Sequence, residues 1–480
     1  MDYTDKDELE AKRICHDCVK VEFLSGEIKA DDDKDVCAYC GKSAPTWPLV
    51  DLANRIELAF EQHCFQTSDQ PTAEQSRMQA DEDSIYEWYR DGEPVVEAIE
   101  AAAEIPTEAA EDVLELLSSR HYDHDNAAMG EECPFDGDSY YELKDYSAFA
   151  WQLEWTVFEN SLQTEARFFS RSAAGLLTDL FREIDKFRTR DDRPLVVDAG
   201  PGHPVEHLYR AREFQSEDGL LDAMRRPDKG LAPPPSRFAT AGRMNPRGIA
   251  VFYGAEESEV AIAEVRPSVG SRVAVAQFSI IRPLKLLDLT ALAAVHAPGS
   301  IFDPAFKDKL ERVAFLRTLG QKISRPIMPS DKDFDYLPTQ AIADFLANEN
   351  DPPLDGIIFM SAQMKAGRNI VLFHKAARVA SLNLPKDTEI GAYTGFSDED
   401  GFHAEYRVHE HLPPEPDPAP EQPNEMLPFW AHFSQMNLDA DTRINTLRVN
   451  TKSVVVHHVE QISVVTDAHP VSRHSSVKSK

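Results

Sequence analysis

The chain lacks any apolar run of about eighteen residues, so no membrane span is expected. It is also short of positive charge: 50 lysines and arginines face 83 aspartates and glutamates, for a formal net charge of −33. Such a field repels phosphate backbones and disfavours a general nucleic-acid-binding role. No GxGxxG or Walker-type glycine loop occurs, which disfavours redox or kinase use of a nucleotide. Cysteines number only six and are not scattered like a disulfide framework. The charged start, Met1 to Glu8, has none of the apolar character of a secretory signal. A cytoplasmic location is therefore expected.

What is present points to a globular protein of two or three domains, because 42% of its 480 residues are hydrophobic. Cys15-x-x-Cys18 and Cys37-x-x-Cys40 are separated by eighteen residues, the spacing of a four-thiolate zinc site. Four thiolates close the tetrahedron, so the metal is expected to be structural, in a segment over residues 1–47. Residues 48–192 read as a bundle of four or five helices. Leu52, Ile56, Ala59 and Phe60 recur at helical spacing, as do Val95, Val96, Ile99 and Ala102. From 195 to 385 short β-like runs at 249–253, 273–278, 284–289, 356–360 and 370–373 alternate with helical segments near 256–265, 304–323 and 339–347. The whole is thus expected to be α+β. A Pro-rich and acidic linker is expected over 386–445, a late hairpin joining the sheet over 446–466, and a disordered tail over 467–480.

Five segments carry a resemblance. They are Leu208-Tyr209-Arg210-Ala211-Arg212, Gly242-Arg243-Met244-Asn245-Pro246, the helix Ser258 to Val265 with Glu264, Tyr336-Leu337-Pro338-Thr339-Gln340, and Asp355 to Ser361 followed by Asn369 to Phe373. Their order and spacing resemble the RES (Arg–Glu–Ser) family of NAD⁺-degrading toxins. The Cys-containing segment and helices resemble the HEPN-like domain found ahead of some RES domains. The resemblance implies an ADP-ribosyltransferase-like mixed α/β domain, NAD⁺ as substrate rather than cofactor, and cleavage of the nicotinamide–ribose bond by hydrolysis or phosphorolysis. It also implies a toxin–antitoxin or phage-defence setting, in which an antitoxin or trigger protein is the partner. Transfer of ADP-ribose to a macromolecule, or an inactive recognition scaffold, are the alternatives. Self-association is left open.

The residue types suit that chemistry. Arginine forks match a pyrophosphate, for which Arg210 and Arg243 are the candidates. A carboxylate can stabilise the oxocarbenium-like charge that grows as a glycosidic bond breaks, and Glu264 is placed for it. Tyr253 offers a face for the nicotinamide. Ser361, at the end of an apolar strand, offers a hydroxyl to a ribose or phosphate oxygen. The catalytic set is expected to be Arg210, Glu264 and Ser361, with Arg243 and Tyr253 binding substrate.

Overall fold

Prolines set the starts of three helices. A computed structural model describes residues 8–81, 85–325, 327–328, 330–399, 401–414 and 441–474. In it Pro48, Pro94 and Pro106 stand at the N-caps of Leu49–His63, Val95–Ala103 and Thr107–His121. The pyrrolidine ring fixes an extended entry and the helix follows. Two units make up the chain: Met1–Leu153 with His296–Phe315, and Glu154–Val295 with Leu316–Lys480.

The first unit opens on strands β1 (Arg13–Cys15), β2 (Lys34–Val36) and β3 (Ser43–Pro48), in the order β1-β3-β2, with α1 (Glu22–Asp31) between the first two in sequence. Helices α2 (Leu49–His63), α3 (Val95–Ala103) and α4 (Thr107–His121) follow. Ile14, Cys15, Val19, Leu24 and Ile28 share one buried cluster with Leu52, Ile56, Phe60, Ile99, Val113 and Leu117. The cysteine segment is therefore not separate from the helices, as a boundary at 47 would have it. It is too small to bury its own apolar groups and borrows their core. Nor are the helices a plain bundle. Strands β4 (Cys64–Gln66), β5 (Glu93–Pro94) and β6 (Tyr140–Leu143) form a small sheet in the order β4-β6-β5. The division of the chain at Leu153 falls inside α5 (Phe149–Thr164), and α6 (Arg171–Phe181) belongs to the second unit.

The second unit is built on β7 (Val196–Ala199), β8 (His207–Phe214), β9 (Phe252–Ala255), β10 (Arg272–Ile280), β11 (Leu284–Asp288), β12 (Gly356–Met360), β13 (Arg368–Leu372), β16 (Leu447–Val449) and β17 (Val455–His458). Their order is β16-β10-β8-β9-β13-β12-β11-β7, with β17 also paired to β10. Only β11 and β12 run parallel; the other pairs in this sheet are antiparallel. Alternation along β10 feeds two cores. Ala274, Ala276, Phe278 and Ile280 enter one cluster and Val273 and Val275 enter the other. Helix α7 (Ser258–Glu264) drops Val260 and Ala261 into the second of these. Helix α9 (Leu337–Asn348) and the part of α8 (Phe306–Ser324) that follows Phe315 complete the alternating pattern. The fold is mixed α+β.

Three sequence expectations shift. The strand expected at 249–253 begins only at Phe252, because Asn245 holds the preceding backbone: its Nδ2 donates to the carbonyls of Thr240, Pro246 and Ile249. The late segment is not a hairpin. β16 pairs with Phe278–Ile280 and β17 with Arg272–Val275, so both lie along β10 rather than against each other. Part of the expected linker is a two-stranded ribbon, β14 (Glu389–Asp398) with β15 (Gly401–His411). The rest of the expected linker, over 415–440, and the tail beyond 474 lie outside the described residues. Among the described residues no helix is long and apolar enough to cross a membrane.

Candidate functional site

Several chain segments converge on one cleft of about 400 Å³, lined among others by Arg210, Arg243, Tyr253, Glu264, Tyr336 and Asn369. That volume lies in the usual range for small-molecule sites. Arg210 projects from β8. Its Nη1 donates to the Tyr253 carbonyl at 2.8 Å, and its guanidinium stands 5.2 Å over the Phe252 ring. Burial, reinforced by Arg212, pushes Arg210 down to about 10. Arg243 lies on the loop before β9. It donates to the carbonyls of Ile323 and Arg325 and stacks 5.4 Å over Tyr336. Burial lowers it too, while Tyr336, Tyr253 and Glu264 oppose the shift. Among the described residues neither arginine has a carboxylate hydrogen-bonded to it. Both spend donors on neutral carbonyls. The result is a cleft with two desolvated guanidinium groups that no carboxylate hydrogen-bonds among the described residues, which favours an anion.

Tyr253 lines the cleft, but its hydroxyl is committed elsewhere. It accepts from the Met244 N–H at 3.0 Å and donates to Asn245 Oδ1 at 2.9 Å. Burial pushes the phenol up to about 12, so it stays neutral. Gly242 is required here, because a Cβ would stand 2.5 Å from the Tyr253 hydroxyl. From α9, Gln340 Nε2 donates to the Gly242 carbonyl at 2.9 Å, and Thr339 Oγ1 donates to the carbonyl of Arg243. Tyr253, Thr339 and Gln340 thus anchor the loop that presents Arg243.

Glu264 ends α7 at the solvent-open side. Its Oε1 accepts from Ser361 Oγ at 2.5 Å and from Asn369 Nδ2 at 2.7 Å. Ser361 follows β12 and Asn369 lies on β13, so the strand pair meets the helix end at this carboxylate. The connecting loop runs against α7: a Cβ at Gly367 would approach Val260 Cγ2 to 2.7 Å. Arg210, Arg243, Tyr253 and Glu264 share the cleft. Ser361 reaches it through Glu264, between the lining residues Met360 and Ala362. Ala211, beside Arg210, packs into the core.

A family model for the RES domain matches residues 207–394. The matched segment is a RES domain. Comparison with curated proteins and with solved structures finds no match. The RES domain holds further cleft residues that sequence reading left without a role. Asn369 is almost wholly buried yet polar, and only its carboxylate partner explains that. Arg266 takes a φ of +48°, a conformation that costs a non-glycine residue of order 1 kcal/mol and often marks functional positions. With Lys332 it adds cationic side chains to the lining. No periodicity signals these three, because each is placed by tertiary contacts.

Outside the RES domain, Cys15, Cys18, Cys37 and Cys40 come together, with all four Sγ atoms within 4.8 Å of one another. Cys15 and Cys40 are 3.5 Å apart, and Cys18 and Cys37 are 3.8 Å apart. A tetrahedron with Zn–S bonds of about 2.3 Å has edges of about 3.8 Å, so the set fits a thiolate-bound metal. Two turns build it: Cys18 N donates to the Cys15 carbonyl and Gly41 N to that of Cys37, with Gly41 at φ +70°. Burial raises the Cys37 thiol, but N–H groups around it outweigh that and bring it down to about 7. Burial and neighbouring thiols raise Cys18.

Proposed function

We propose that the RES domain binds NAD⁺ in this cleft and breaks its nicotinamide–ribose bond, with water or inorganic phosphate capturing the ribose. The observation that carries this reading is the pairing of two desolvated arginines, neither hydrogen-bonded to a carboxylate among the described residues, with one carboxylate in a single small cleft. Arg210 and Arg243, desolvated in the same cleft, offer the guanidinium donors that a pyrophosphate takes. Glu264 then faces the nicotinamide ribose. Its charge stabilises the oxocarbenium character that develops as neutral nicotinamide leaves. The family resemblance to ADP-ribosyltransferase-like domains supports the same substrate. Depletion of NAD⁺ in the cytoplasm makes the chain a growth-arresting toxin, and a partner that covers the cleft would silence it. The four cysteines hold structural zinc, with no open position for substrate.

The test is purified protein incubated with NAD⁺ labelled in the adenosine half. Free nicotinamide with label in ADP-ribose, or in its 1″-phosphate when phosphate is supplied, is the expected result. Label fixed to a macromolecule would instead assign ADP-ribosyl transfer. Intact NAD⁺ would refute the reading.

A further inference from the structure

We infer that Ser361 and Asn369 are positioning residues that clamp one oxygen of Glu264 and leave the other to act on substrate. The inference deepens the proposed function and rests on it for the identity of the substrate, but the clamp itself is a matter of hydrogen-bond capacity.

A serine hydroxyl has one proton to give and two lone pairs to offer. Ser361 uses all three. Its proton goes to Glu264 Oε1 at 2.5 Å, and it accepts the N–H groups of Gln363 and Met364, both at 3.1 Å. Nothing is left for a ribose or a phosphate. Asn369 is 4% exposed and gives its amide proton to the same Oε1 at 2.7 Å. Oε1 therefore carries two donors, while Oε2 makes no hydrogen bond among the described residues. Two donors converging from different elements fix both the position and the plane of the carboxylate. Oε2 is thereby presented to the cleft that Arg210 and Arg243 line.

The clamp has a fixed base. Ser361 N donates to the Gly367 carbonyl at 2.8 Å, closing the loop between β12 and β13. Asn369 sits in register with Ala255 of β9 on one side and Phe359 of β12 on the other. The donors are held by the sheet, and the acceptor is the last residue of a seven-residue helix. Orientation is thus imposed on Glu264 rather than by it. Preorganising a charge in this way avoids reorganisation when the substrate's own charge develops.

Two readouts test the clamp. The first needs no substrate: crystal structures of the wild type and of the Ser361→Ala/Asn369→Leu double variant. The clamp predicts one ordered Glu264 carboxylate in the wild type, and a disordered or turned one in the variant with Arg210 and Arg243 unmoved. The same Glu264 orientation in both would overturn it. The second readout is kinetic. Ser361→Ala and the isosteric Asn369→Asp should each lower kcat about 10- to 100-fold with KM nearly unchanged, and Ser361→Thr, which keeps the hydroxyl, should recover most of the loss. A rise in KM matching the fall in kcat would make Ser361 a substrate contact and refute its positioning role. A wild-type protein that leaves NAD⁺ intact would end the functional reading, and the crystallographic comparison would still decide the clamp.

Discussion

Replacing Tyr253 with phenylalanine removes one oxygen and strands two groups. The Met244 N–H loses its acceptor at 3.0 Å, and Asn245 Oδ1 loses its donor at 2.9 Å. Met244 and Asn245 are 2% and 3% exposed, so water does not readily replace the lost oxygen. An unpaired buried group costs about 1–3 kcal/mol, so the anchored loop should lose about 2–3 kcal/mol of local stability. Because 1.4 kcal/mol is a factor of ten, the Met244 amide should exchange with solvent roughly 30- to 150-fold faster. Hydrogen exchange read by mass spectrometry over the peptide containing residues 242–248 measures this. The loop also carries Arg243, so KM for NAD⁺ should rise more than kcat falls. Unchanged exchange at Met244 would show that the phenol does not hold the loop, and would return Tyr253 to the role of a simple stacking face.

Removing the thiolate-bound metal with a strong chelator, or changing Cys37 to serine, should loosen the first unit. Elemental analysis should find about one zinc per chain, and chelation should deprotect α2, α3 and α4, whose buried residues share a cluster with Cys15 and Cys37; unchanged protection would refute a structural metal. Asp228 provides a test by pH. Burial favours its neutral form, but Arg226, bonded to both carboxylate oxygens, and the Leu382 N–H outweigh that and hold it below the usual carboxylate range. Its folded value lies below its unfolded one, so its stabilisation is complete above about pH 4 and fades as the pH falls further. Asp228→Asn should leave Arg226 without its counter-charge, lower stability by about 3–5 kcal/mol at pH 7 and flatten the acid limb of the denaturation curve; an acid limb like the wild type's would contradict this.

Much of the second unit was legible because its signals are local. Runs such as Val273 to Phe278 and Gly356 to Met360 contain β-branched and aromatic residues and sit between turns, and they form β10 and β12. The cysteine spacing carried its own geometry. Residues 249–251 misled because they are apolar, with Ala250 and Val251 buried, without being paired: the Asn245 amide, not a neighbouring strand, ties that backbone. The ribbon at 389–411 was hidden by its glycines and by the exposed side chains of Tyr393 and Phe396, which blur the alternation a strand normally shows. At the cleft, residue types pointed to Arg210, Arg243 and Glu264. That the Tyr253 hydroxyl faces a loop, and that Asn369 meets Glu264, depends on register between strands far apart in sequence, for which a single sequence carries no sign.

The central claim is that Glu264 acts on an NAD⁺ held by Arg210 and Arg243. Glutamine at position 264 keeps the shape and deletes the charge, so it separates binding from bond cleavage. Calorimetric NAD⁺ binding to Glu264→Gln should stay near the wild-type value while nicotinamide release falls at least about a hundredfold. Nicotinamide release at the wild-type rate from Glu264→Gln would contradict the account.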